Sequence, residues 1–193
     1  LTSGANYDVF GYLSAGNIAL ELSSAWTNAT TRANALARQD GRWVKSGTTT
    51  RLWLGTIRTT GTSTTEDSEA KRFVWNAYNR RRRGLMKSIT ASSIYTGTLR
   101  QFNADATAQV EVVLGEPQAL VYGCTMSINV GSGDVARLLA SLDSTTNPSS
   151  SHDAIFDVVP TGGVAARVSP STSRAVGLGY HYLAIVHGTT AGV

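Results

Sequence analysis

The sequence predicts a mainly β protein: an antiparallel β-sandwich of jelly-roll-like type carrying one or two short helices. Three observations carry this expectation. Serine and threonine together number 44 of the 193 residues, and the branched Cβ of threonine favours extended backbone. Nineteen glycines against four prolines supply turns. Short apolar runs recur along the chain between Gly, Pro, Asn and Ser clusters, a spacing typical of sandwiches and barrels. The length fits one domain, 1–193, with a sizeable core.

In chain order, ANYDVFGYLSAGNIALELS reads as a hairpin. Tyr7, Val9, Phe10 and Tyr12 supply the first strand, Ser14-Ala15-Gly16-Asn17 the turn, and Ile18, Leu20 and Leu22 alternate on a half-buried return strand. In AWTNATTRANALARQDGRW, Asn28, Thr30 or Thr31 is placed to cap a short helix through Leu36 or Ala37, with Gly41 ending it. Trp43-Val44-Lys45 and Arg51–Thr59 then form strands around a Ser46-Gly47 turn. Gly61–Thr65 is a polar loop. In EDSEAKRFVWNAYN, Ala70, Phe73, Val74, Ala77 and Tyr78 recur at helical spacing behind Glu66, Asp67 and Glu69, so a helical turn is expected there. Further strands are expected over 85–90, 93–102, 109–115, 119–130, 135–142, 154–159, 163–168 and 180–186, with Gly131-Ser132-Gly133-Asp134 as a hairpin turn.

The net charge of +4 hides an asymmetry. From Arg32 to Arg100 there are 14 basic residues against four acids, a local +10, while the remainder carries three against nine, a local −6. Such a split fits a nucleic-acid face, or a subunit whose halves meet oppositely charged neighbours. Cys124 is the only cysteine, which excludes an internal disulfide, and its apolar setting LVYGCTMSINV predicts an inert thiol. No apolar run approaches the ~20 residues of a membrane helix. A chain that opens on Leu1 and stops after HGTTAGV reads as a fragment, a processed chain or part of a longer one.

Catalytic patterns are sparse. His152-Asp153 is the only adjacent acid–histidine pair, and it lies in a serine-rich loop without a nucleophile elbow. His181 and His187 share a strand face by even spacing, yet no matching acid or cysteine accompanies them, so no metal is expected. No phosphate loop is present and no cofactor is implied. The strongest binding candidate is the run Arg80, Arg81, Arg82, Arg83 beside Trp75 and Tyr78. Basic residues with aromatic platforms suit nucleic acid. Alternate residues of an extended run face opposite ways, however, which splits the patch and disfavours a nucleic-acid partner. Pairing with Glu66, Asp67 or Glu69, within the subunit or across to a neighbour, is the expected role.

The strings LTSGANYDVFGY, LELSSAWTNATTRANALARQDG, VKSGTTTRLWLGTIRTT and TEDSEAKRFVWNAYNRRRR, in that order, resemble a C-terminal module of tailed-bacteriophage virion proteins of the minor structural, head-fibre and tail-fibre type. The resemblance covers about residues 1 to 102; the ending GLGYHYLAIVHGTTAG matches in general pattern. Relatives carry two or three arginines with an intervening apolar residue where this chain has four in succession. What the resemblance implies is a non-enzymatic component of the virion surface, a homotrimer that contacts other virion proteins and a host surface glycan as part of a fibre or spike. The alternatives are a capsid-stabilising decoration protein without a receptor, and a polysaccharide-degrading domain, which would need an exposed carboxylate pair.

Overall fold

The computed structural model describes residues 1–91, 97–128, 135–146, 154–158 and 166–190. Its strands are β1 (Asn6–Ser14), β2 (Asn17–Leu22), β3 (Leu36–Gln39), β4 (Arg42–Lys45), β5 (Thr48–Arg58), β6 (Lys71–Arg72), β7 (Val74–Asn76), β8 (Arg100–Gln101), β9 (Gln109–Leu114), β10 (Gln118–Gly123), β11 (Met126–Ile128), β12 (Val135–Leu142), β13 (Ala154–Val158), β14 (Ala166–Val168), β15 (Ser171–Val176) and β16 (Gly179–Thr190). The chain is mainly β, and antiparallel pairing predominates. Among the described residues the one helical turn is a 3₁₀ turn at Phe102–Ala104. No helix there is long and apolar enough to cross a membrane.

The chain groups into two compact units. The first comprises Leu1–Leu85, Glu111–Gln118 and Val176–His181. Its sheet runs β2-β1-β5-β4-β3, with β7 also on β5. Two-residue turns set its registers. Ser14 faces Asn17 across Ala15 and Gly16, and Gln39 faces Arg42 across Asp40 and Gly41. All four turn residues have positive φ, between 48° and 82°. Two consecutive positive φ values define the type I′ turn, whose twist matches that of the strands it joins. At Leu54 the β1–β5 register slips, so that Val9 faces Gly55 while Phe10 faces Trp53. This bulge keeps Asp8, Phe10, Trp53 and Thr56 on one face, all fully buried.

The second unit comprises Met86–Val110, Ala119–Ala175 and Tyr182–Val193. There β12 pairs antiparallel with β13 and with β16, β8 pairs with β16, and β11 pairs with β14. Leu139, Ala184 and Val186 form a buried apolar cluster, with Leu99 and Tyr182 packed against it.

Several expectations need correction. The segment expected to be a helix after Asn28 is loop and then β3. The Asn28 carboxamide accepts from the Thr30 N–H at 2.9 Å, closing a tight turn of its own in place of a helix cap. The 66–78 segment forms β6 and β7, because the Ser68 hydroxyl takes the Lys71 N–H and Phe73 turns into the core while Val74 turns out. Residues 85–90 form no strand, and β15 lies where the sequence pattern predicts none. Ile18, Leu20 and Leu22 do alternate, but they face solvent and are not half-buried. The Gly131–Asp134 turn and the His152-Asp153 pair lie outside the described residues, as do parts of the strands expected over 93–102, 119–130, 154–159 and 163–168.

Candidate functional site

The first unit is organised around one buried carboxylate. Asp8 lies on the inward phase of β1 and is completely buried. An ionised carboxylate in such a place needs a full set of donors. It has them. Trp26 Nε1 donates to Oδ2 at 3.0 Å, Trp53 Nε1 to Oδ1 at 3.0 Å and the Thr56 hydroxyl to Oδ1 at 2.7 Å. Arg32 Nε spans both oxygens, at 3.2 and 3.0 Å.

Rings enclose this ion pair. The Arg32 guanidinium lies 4.9 Å from the Trp26 ring centroid and 5.0 Å from that of Trp53. Its Nη2 also donates to the Gly115 carbonyl. Trp53 stacks on Trp75 at 5.2 Å, and Arg80 caps the outer face of Trp75 at 4.9 Å. Gly115 is a close-approach glycine: a Cβ there would strike the six-membered ring of Trp75. From the core outward the stack runs Asp8, Trp53, Trp75, Arg80, with Arg32 packed beside Trp53. With donors on both Asp8 oxygens, this group braces the unit.

The arginine run lies on irregular, exposed backbone and its members have different partners. Arg80 pairs with Glu116 at 2.7 Å and donates to Gln118 at 3.3 Å. Arg83 pairs with Asp67 at 3.0 Å, within the subunit. Arg81 and Arg82 have no side-chain partner among the described residues. Of the three acids singled out, Asp67 also holds Arg72 at 3.5 Å, Glu66 lies 3.8 Å from Lys71 and accepts from Ser68, and Glu69 is exposed without a side-chain partner among the described residues.

A second polar group surrounds Arg58. Its guanidinium lies 3.8 Å from the Tyr180 ring centroid and donates to Asn6 at 3.0 Å, and burial lowers its pKa. The Tyr180 hydroxyl donates to Glu111 at 2.7 Å. Glu21 receives Lys45 at 2.5 Å and Arg51 at 2.6 Å, and these two bonds hold its carboxyl below the usual range.

The histidines of β16 are both buried. His181 Nε2 is 3.1 Å from the Gly177 carbonyl, and His187 packs on Phe102 with ring centroids 5.3 Å apart. Burial, with Arg100 nearby, lowers the His187 pKa. Burial pushes the Cys124 thiol up to about 12, which makes it a poor nucleophile. Among the described residues no group of three potential metal ligands converges. No family model, no curated protein and no solved structure matches this chain.

The centrality of Asp8 escapes a motif search, because a single acid in NYDVF belongs to no catalytic pattern. One signal was available. Asn6 and Asp8 share the inward phase of the strand with Phe10 and Tyr12, and an acid in a core phase must be paired.

Proposed function

We propose that this chain is a structural domain of a tailed-phage virion surface protein, an outward part of a fibre, spike or decoration protein that acts by assembly and contact. One observation carries the reading. The residues in the strings that resemble virion modules, Trp26, Arg32, Trp53, Trp75 and Arg80, are those that close the brace on Asp8. In this reading the strings encode a framework, and Asp8 and Arg32 are occupied in holding it. The exposed surface that remains, including Tyr78, Arg81 and Arg82, is available for contact with an acidic host glycan.

The test is an array of host-surface polysaccharides probed with the purified domain, alongside labelling of intact particles with an antibody raised against it. Particle labelling with array signal on acidic glycans supports a receptor-contacting domain. Labelling with a silent array moves the reading to a capsid-stabilising decoration protein. Absence from particles sinks both, and release of sugar from host polysaccharide sinks the non-enzymatic reading.

A further inference from the structure

We infer that β2 is a self-association edge, at which two copies of this chain pair their β2 strands antiparallel about a two-fold axis through Leu20. The inference stands on the hairpin's own geometry and holds independently of the virion reading.

The backbone comes first. β2 ends its sheet and, among the described residues, pairs with β1 alone. In a two-residue hairpin the pair flanking the turn exchanges hydrogen bonds, and bonded and non-bonded pairs then alternate. Asn17, Ala19 and Glu21 therefore direct N–H and C=O toward β1. Ser23 continues the phase, its N–H donating to the Asp8 carbonyl at 2.9 Å. Ile18, Leu20 and Leu22 direct theirs to the open edge, a ready template for another strand.

The side chains of the same three residues are exposed, at 83%, 67% and 38%, and Leu13, opposite Ile18, is 74% exposed. Contiguous exposed apolar bands are where interaction surfaces are commonly found. Here the band borders an unpaired ladder.

Symmetry selects the occupant. With Leu20 opposite Leu20 of the second copy, Ile18 falls opposite Leu22, and all three outward residues sit at bonded positions, giving about six backbone hydrogen bonds. Both apolar stripes then meet on one face. On the other face Glu21 falls opposite Ala19, so no acid meets its own copy, and each Glu21 is already paired with Lys45 and Arg51. Sliding the register two residues one way would set Glu21 against Glu21, a destabilising like-charge pair. Sliding it the other way would set Leu22 against Gly16 in the turn. Of these two-fold registers, only the one centred on Leu20 satisfies backbone, apolar stripe and charge together. A two-fold contact of this kind closes on itself and does not propagate into fibres.

The experiment uses Leu20→Cys in a Cys124→Ser background. Cross-strand bonded residues have Cα atoms about 5.5 Å apart, within the reach of a disulfide. After mild oxidation at low micromolar concentration, more than half the chain should run as a covalent dimer on a non-reducing gel. Val121→Cys in the same background, at a site 80% exposed, sets the level of random collision. Dimer no greater than that level overturns the inference. In parallel, Leu20→Lys should halve the mass seen by sedimentation while leaving the far-ultraviolet circular dichroism unchanged. A wild-type chain that sediments as a monomer, or a Leu20→Lys chain with undiminished mass, overturns it as well. Should Leu20→Lys fail to fold, the cross-linking comparison alone decides.

Discussion

Replacing Asp8 with asparagine removes the charge at the centre of the brace while keeping its shape, and the structure sets the size of the effect. Whichever way the new amide turns, its NH₂ meets at least two donors: Trp26 Nε1 and Arg32 Nε on one side, or Trp53 Nε1, the Thr56 hydroxyl and Arg32 Nε on the other. Arg32, whose side chain is only 14% exposed, keeps its charge with no anion beside it. Removing one partner of a buried pair costs about 3–5 kcal/mol, and that is the loss expected here. Urea unfolding followed by tryptophan fluorescence is the assay, because Trp26, Trp43, Trp53 and Trp75 all lie in the first unit and report on it alone. The pair also makes a double-mutant cycle possible. Arg32→Met added to Asp8→Asn should cost less than the sum of the single changes, by about 1 kcal/mol or more. A loss below about 1 kcal/mol for Asp8→Asn, or strict additivity in the cycle, would refute the view that this ion pair is a unit of the fold.

Four further outcomes are expected. Ala15 has φ of 48° in a turn that favours Asn-Gly, so Ala15→Asn should raise the urea midpoint by the equivalent of about 1 kcal/mol. Gly115→Ala should lower it by about 1–3 kcal/mol, through displacement of Trp75, and should shift the emission maximum. His187 has a lowered pKa when folded, so the unfolded chain binds its proton more readily; stability is complete above the unfolded value of about 6.5 and falls as pH drops from there through the folded value. The protection factors of β16 amides, corrected for the intrinsic pH dependence of exchange, should therefore fall as pH drops below about 6.5, and His187→Gln should flatten that dependence. Changing Arg81 and Arg83 together to glutamine should alter stability by ~0–1 kcal/mol, and mainly at low salt, because the Arg83–Asp67 pair is half-exposed.

What the sequence disclosed follows the range of the forces involved. The β1–β2 hairpin was legible because alternation and a turn cluster are local signals, whereas the exposure of its outer stripe was not, since alternation shows two faces without saying which is covered. The Asp40-Gly41 pair is a strong hairpin signal, but behind a capping run its glycine resembles a helix stop. The flanking segments LARQ and RWVK are short and charged and look little like strands. The helix expected over 66–78 failed for a different reason. Its spacing was genuine, but Ser68 competes for backbone donors, and Phe73 and Trp75 are drawn to Tyr180 and Trp53 by packing that no local window contains. Asp8 is the extreme case, for its donors come from positions 26, 32, 53 and 56.

The same long-range packing explains the charge asymmetry. A block of +10 looks like a polyanion face, yet five of its eleven guanidiniums lie against rings: Arg32 on Trp26 and Trp53, Arg38 on Trp43, Arg51 on Tyr12, Arg58 on Tyr180 and Arg80 on Trp75. A planar, weakly hydrated cation suits that position better than lysine does. Lys45, Lys71, Arg72 and Arg83 are held by acids. Within the first unit, Arg42, Arg81 and Arg82 are left with neither ring nor acid among the described residues. Two adjacent free arginines neutralising two phosphates would give a salt slope of only about −1.8, far below that of a protein making six to ten such contacts. The four-arginine run thus combines two anchors, at positions 80 and 83, with a free pair between them. The free pair can supply two charged contacts.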